Sequence, residues 1–230
     1  LANCASILTM FPETLKEKFH GGRIKISRAV SNVVGGFKSD RLRVVLMAGF
    51  LFSAGFTFFT TFFGVYLRNN FNFSSAKIGD YFAIVGLFIA ISQAVVVAKV
   101  AKKLADWKVL RFSMFGLGAM MLVYFVIPTT SSYFLYLVIP FFTLFNGLTM
   151  ANMSSLISRS AEMGQQGQAM GIYSSVSSLA QVPASILVGY ITSDITSSQP
   201  LFVSSACIIL GGAVFFVLFK PKYVMENAHA

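Results

Sequence analysis

The side chains that could do chemistry in this sequence are hydroxyls and amides at helical spacing. Ser53, Thr57, Thr60, Thr61 and Gly64 recur at i, i+4, i+7, i+8 and i+11, so they share one helix face. Ser174, Ser177, Ser178, Gln181 and Ser185 repeat the pattern, and Gln93, Thr143, Asn146 and Asn152 add polar groups within apolar runs. Such groups offer hydrogen bonds but no nucleophile–base pair. All eight acidic residues, Glu13, Glu17, Asp40, Asp80, Asp106, Glu162, Asp194 and Glu226, fall outside the apolar runs or at their edges. The two histidines, His20 and His229, lie in a basic segment and in the tail, and Cys4 and Cys207 have no metal-ligand spacing. No Gly-x-x-x-x-Gly-Lys-Ser/Thr loop is present. The expectation is therefore no enzyme activity, no metal and no cofactor.

In lipid a polar stripe must face protein or water. Two readings stand: a hydrated cavity lined by several helices, or close helix packing of the Gly167-x-x-x-Gly171 kind. Gln93, Asn146 and Gln181 weigh most toward the cavity, because each amide brings several donors and acceptors. Pro140 and Pro183 each remove one backbone hydrogen bond and are expected to kink their helices. Tyr66 and Tyr81 are expected in an aromatic belt at the outer membrane interface.

The elements that must position these residues follow from composition. Of 230 residues, 56% are hydrophobic and 11% charged, with 25 Phe and 10 Met. Mean hydropathy is +0.73. A soluble fold has nowhere to bury so much apolar surface, so an integral membrane protein in contact with lipid is expected. Six apolar stretches, about 44–67, 79–98, 109–127, 133–157, 169–192 and 201–219, each have the length of a membrane-crossing helix. A β-barrel would show runs of about ten residues of alternating polarity instead. The fold class is thus all-α, a six-transmembrane-helix bundle.

The net charge of +10 has a position. All but two of the 18 Lys and Arg residues, Arg68 and Lys77, fall in alternate loops or in the tail. That is the positive-inside pattern, and it argues against nucleic-acid binding. It places 16–43, 99–111, 158–168 and the C-terminal tail, 220–230, in the cytoplasm. Residues 1–15 read as the end of a preceding membrane helix, within a longer chain. Segment 16–43 reads as a basic linker, either a short surface helix between Gly21-Gly22 and Gly35-Gly36 or a tether.

Several stretches resemble one family in order along the chain. Phe11-Pro12-Glu13-Thr14-Leu15 resembles the Pro-Glu-Thr element that ends the sixth helix of many major facilitator superfamily transporters. GFTFFTTFFGVYL, from Gly55 to Leu67, is similar to the seventh helix of their tetracycline and multidrug antiporter group. Ile78-Gly79, Gly86 and Ile91-Ser92-Gln93 resemble the eighth. The run Gly164-Gln165-Gln166-Gly167-Gln168-Ala169-Met170-Gly171, with Ser174 to Ala180 and Pro183, resembles the eleventh and the loop before it.

The resemblance implies the C-terminal half of a twelve-helix transporter, with an N-terminal six-helix half as partner and a small-molecule substrate between the halves. It implies proton-coupled export of drug-like molecules by alternating access, with the coupling carboxylates in the other half. Thr57, Thr61, Gln93, Asn146 and Gln181 would be substrate contacts on the seventh, eighth, tenth and eleventh helices. The gating motif Gly-x-x-x-Asp-Arg-x-Gly-Arg-Arg is altered here. Lys102, Trp107 and Val109 replace its first Gly, first Arg and second Gly, while Asp106 and Arg111 keep their places. Asp106 is either a gating residue or a solvated loop acid among lysines. A carrier for a sugar or organic anion, and a non-transporting scaffold or truncated half, are the rival readings. The membrane could be a bacterial inner membrane or a eukaryotic one.

Overall fold

A computed structural model describes residues 34–40, 42–128, 132–161, 164–191 and 199–220. The expected helix end at 1–15, nearly all of the expected linker 16–43 and the expected tail after Lys220 lie outside the described residues.

After a helical run at 34–38, the elements are α1 (Arg43–Phe71), α2 (Ser75–Ile91), a π-helical segment (Ser92–Val97), α3 (Ala98–Lys103), α4 (Asp106–Val126), α5 (Tyr133–Ser160), α6 (Gln166–Ile191) and α7 (Gln199–Leu218). Among the described residues six helical stretches are long and apolar enough to cross a membrane, the second being α2 with the π-helical segment. No strand occurs among the described residues, and the all-α expectation holds. At 29 residues α1 is about 44 Å long, more than the roughly 30 Å hydrocarbon core, so it tilts or protrudes.

Helix ends follow local chemistry. Asn72 closes α1 in the left-handed conformation, φ 52°, which Asn adopts more readily than most residues. Its N–H and that of Phe73 both turn back to the Leu67 carbonyl. Ser74 then caps α2, its hydroxyl accepting from the Lys77 N–H at 3.3 Å. Three residues thus suffice to reverse the chain.

Apart from α4 and α5, the helices that pack most closely are not neighbours in sequence. Helix α7 packs between α1 and α4; α5 packs on α4, α6 on α1, and α2 with its π-helical segment on α5. Lipid tails are as apolar as Leu, so no hydrophobic force drives these contacts; close packing and interhelical hydrogen bonds must do so. Ser204 on α7 donates to the Gly55 carbonyl of α1 at 2.6 Å, and Ser205 donates to the Gly118 carbonyl of α4 at 2.7 Å. Both acceptors are glycines because the backbones approach closely. A Cβ on Gly55 would sit 2.7 Å from the Ser204 carbonyl oxygen, and one on Gly118 would sit 2.5 Å from Ile209 Cγ1.

The interior is aromatic. Phe59 stacks on Phe63 at 4.5 Å and meets Phe142 of α5 at 4.9 Å, and Phe63 meets Tyr124 of α4 edge-on at 5.0 Å. Burial is uneven. In its most apolar stretch 56% of α1 is buried, against 17% for α2 with the π-helical segment and 28% for α6. The last two elements therefore leave the most surface for contacts outside these six helices.

The packing at Gly55 is open to test. Gly55→Ala is expected to cost about 1–3 kcal/mol through overpacking against a backbone atom. Gly64→Ala, where nothing lies within 4 Å of an added Cβ, should stay within about 0.5 kcal/mol of the parent. Reversible unfolding of the purified protein in detergent reads both. Equal stability of the two variants would remove the close α1–α7 approach from this account.

Candidate functional site

Four of the eight hydroxyls in the two polar stripes bond to their own helix. Thr57 donates to the Ser53 carbonyl at 2.8 Å, Thr60 to Phe56, Ser178 to Ser174 and Ser185 to Gln181, each at 3.0 Å. A hydroxyl bonded to its own helix one turn back needs no further partner and tolerates lipid or protein. The Ser53 hydroxyl instead donates to Ser177 Oγ at 3.0 Å and ties α1 to α6. Thr57 and Gln181 lie one turn beyond this link on helices that run in the same direction. The stripes thus meet at that level. Thr57 is half-buried, while Thr61 and Gln181 are exposed.

The amides behave differently. Gln93 lies in the π-helical segment, exposed, with Nε2 3.4 Å from where a Gly147 Cβ would be; Ser92 Oγ is 3.5 Å from the same point. Gly147 is therefore the notch in α5 that seats this segment. Its neighbour Asn146 is 4% exposed, and Asn146 Oδ1 and Ser92 Oγ are buried without a hydrogen-bond partner. A buried orphan acceptor costs about 1–3 kcal/mol, which marks this α2–α5 contact as unfinished. Asn152, by contrast, donates to the Leu148 carbonyl at 2.7 Å. The π-helical segment had no signal in the hydropathy pattern. Such segments recur at functional sites. Pro140 and Pro183 fall inside α5 and α6, and both helices continue through them.

Tyr66 and Tyr81 are not in a lipid-facing belt. They are 2% and 0% exposed. The Tyr66 hydroxyl donates to the Tyr124 carbonyl at 2.7 Å, and the hydroxyls of Tyr81 and Tyr124 share a hydrogen bond at 2.9 Å. These tyrosines join α1, α2 and α4. Period and depth placed them near an interface, but only the packing of neighbours shows that they point inward.

At the other end of the bundle Asp106 opens α4. It is 8% exposed. Ser155 donates to Asp106 Oδ2 at 2.6 Å, and Arg159 Nε approaches the same oxygen at 3.2 Å, joining α4 to α5. The solvated-acid alternative fails here, because the carboxylate is buried and paired. Arg111 is separate from that pair. Its guanidinium lies 4.9 Å from the Trp107 ring and 4.9 Å from the Phe216 ring, and Nη2 donates to the Phe219 carbonyl at 3.1 Å. Its Nε is buried without an acceptor. Asp106 and Arg111 thus tie α4 to two different helices.

Among the described residues no group of three or more His, Cys, Asp or Glu could hold a metal ion. The arrangement offers hydrogen bonding along helices α1, α2, α5 and α6, and charge only near the helix ends.

Compared with known proteins, the chain matches the sequence profile of the Major Facilitator Superfamily over residues 4–184 and, in a second placement, over 45–229. It is similar to hippocampus abundant transcript-like protein 1 of Rattus norvegicus, 26% identical over 260 residues, covering 97% of this chain and 48% of that protein. The counterpart in Mus musculus is 27% identical over the same shares. The chain spans about half the length of these relatives.

The Asp106–Arg159 pair predicts a measurable coupling. The Arg159 side chain is 62% exposed, so solvent screens the pair and the coupling should be about 1 kcal/mol, below the value for two buried charges. A double-mutant cycle of Asp106→Asn and Arg159→Gln, read by denaturation in detergent, measures it. Additive effects would mean the pair holds nothing together.

Proposed function

The chain belongs to the major facilitator superfamily, and on that premise we propose that it is the C-terminal half of a secondary transporter exporting amphipathic, drug-like molecules. Coupling would be to protons, and transport would proceed by alternating access between two halves. The observation that carries this reading is the contact between the π-helical segment and α5. There an exposed amide, Gln93, abuts Gly147, and the adjacent Asn146 holds an acceptor with no protein partner. A polar solute or water reaching this contact would complete such a group.

Helices α1, α2, α5 and α6 supply the wall, with Thr57, Thr61, Gln93, Asn146 and Gln181 as substrate contacts. These groups are uncharged and set among Phe and Met residues, which favours bulky apolar ligands over ions. The large uncovered surfaces of α2 and α6 suit a second six-helix body packed against them, and relatives twice as long leave room for it. Proton-coupling carboxylates belong to that body in this reading, because the acids of the described spans lie near helix ends, at Asp80 and Asp106. Asp106 and Arg111 act at the cytoplasmic gate, where the basic residues collect. Pro140 and Pro183 let α5 and α6 bend.

The test uses the full-length protein in proteoliposomes with an internal pH dye. Lipophilic cations and tetracycline-like compounds are added under an imposed proton gradient, and drug-evoked proton flux is the expected result. Gln93→Ala, Asn146→Ala and Gln181→Ala should each lower flux about fivefold, the worth of one neutral hydrogen bond, and to different extents for different compounds. Asn146→Leu should lower flux while leaving the unfolding midpoint unchanged or higher, since it removes an orphan acceptor. No flux from folded protein overturns drug–proton exchange. Unchanged flux in all of the substituted proteins overturns the wall.

A further inference from the structure

Three cations gather where α4 begins and α7 ends. Arg111 is held between the rings of Trp107 and Phe216, and Lys108 Nζ lies 5.3 Å from the Trp107 ring. The Phe219 carbonyl that accepts from Arg111 is bonded to the nitrogen of Lys220. No carboxylate among the described residues pairs with any of the three. Their nearest acid in sequence, Asp106, is taken by Arg159 and Ser155. Among the described residues the positive charge is met by two ring faces and one helix-end carbonyl, and by no anion.

The surface beside these cations is apolar and uncovered. Phe112 is 69% exposed, Phe216 56% and Val217 76%. Phe112 follows Arg111 in the chain, Phe216 touches the Arg111 guanidinium, and Val217 follows Phe216. A cationic rim above an exposed aromatic and aliphatic wall, at the end of two membrane-crossing helices, matches the two parts of a phospholipid. The wall suits acyl chain, and the rim suits an anionic headgroup. Ring contacts on both sides also fix the plane of the guanidinium, so its donors are organised before an anion arrives.

We propose that the corner formed by the start of α4 and the end of α7 binds the headgroup phosphate of an anionic phospholipid, with Arg111 as the fixed cation and Lys108 and Lys220 at the rim. The site holds on whichever face of the membrane this end lies. The cytoplasmic orientation proposed above places it in the leaflet that carries anionic lipid. A lipid bound here touches both α4 and α7 and braces the pair from outside.

Native mass spectrometry of the full-length protein in detergent tests this with an equimolar mixture of dioleoylphosphatidylglycerol and dioleoylphosphatidylcholine. The parent protein should retain the glycerol lipid in preference. The double variant Lys108→Gln, Lys220→Gln should lose that preference roughly thirtyfold, about fivefold per lysine at ~1 kcal/mol each near an anionic surface. Both lysines are exposed, so the fold is not at stake, and an unchanged unfolding midpoint verifies it. Lys108→Glu alone should act in the same direction. Equal retention of the two lipids by the parent, or an unchanged preference in the double variant, overturns the proposal. So does a preference erased by millimolar inorganic phosphate, which would mark a site for a soluble anion. None of these readouts depends on transport, so failure here leaves the transport reading standing and the converse also holds.

Discussion

Ser204 and Ser205 are adjacent on α7, yet they donate to carbonyls of two different helices, Gly55 on α1 and Gly118 on α4. Much of the structure depends on that pair of bonds. Inside a bilayer, helix association gains little from burying apolar surface, so it needs close approach and hydrogen bonds that lipid cannot offer. Successive residues on a helix point about 100° apart, which is the angle at which α1 and α4 must stand around α7 if both serines are to reach. The glycines opposite let the backbones come close enough for hydroxyls as short as serine's. Ser204 also donates to Met121 Sδ at 2.9 Å, so the same hydroxyl touches α4 as well.

What was legible in the sequence follows from what a bilayer demands. Six crossings must be long and apolar, and that shows directly in hydropathy; their number and all-α class could be read before any coordinates. Faces were less legible. Helices α4 and α7 are apolar nearly all round, so no pattern marks which side meets protein. Tyr66 and Tyr81 show the consequence: depth suggested a lipid-facing belt, and only the arrival of Tyr124 from α4 turns them into a buried network. The partners of Asp106 were equally hidden, since Ser155 and Arg159 lie about 50 residues further on. The π-helical segment left no trace because one extra residue in a turn does not disturb an apolar run.

In the proposed site, amides and hydroxyls differ in how much their chemistry says. Hydroxyls at helical spacing form polar stripes, but Thr57, Thr60, Ser178 and Ser185 close their own hydrogen bonds one turn back. A stripe of Ser and Thr is thus compatible with water, protein or lipid, and spacing alone says little about which. An amide cannot hide in this way, because it carries more donors and acceptors than one carbonyl can satisfy. The orphan oxygen of Asn146 follows from that excess.

Stiffness and exposure divide along the same line. The serines of α7 and the tyrosines of α1, α2 and α4 make bonds in an apolar interior, where an unpaired hydroxyl is costly. They hold a spine of α1, α4, α5 and α7. The elements carrying Gln93 and Gln181, namely the π-helical segment and α6, are the least buried and hang on the outside of that spine. The transporter half proposed above calls for this division: in that reading the spine moves as one body, while the surface facing the solute and the partner half exchanges partners. Packing against a glycine notch, as at Gly147, suits such a surface, since a notch fixes position without adding a hydrogen bond that must later be broken. Gln93 and Gln181 then sit on the exposed elements outside the spine, where in the proposed reading a passing molecule meets least competition from the protein itself.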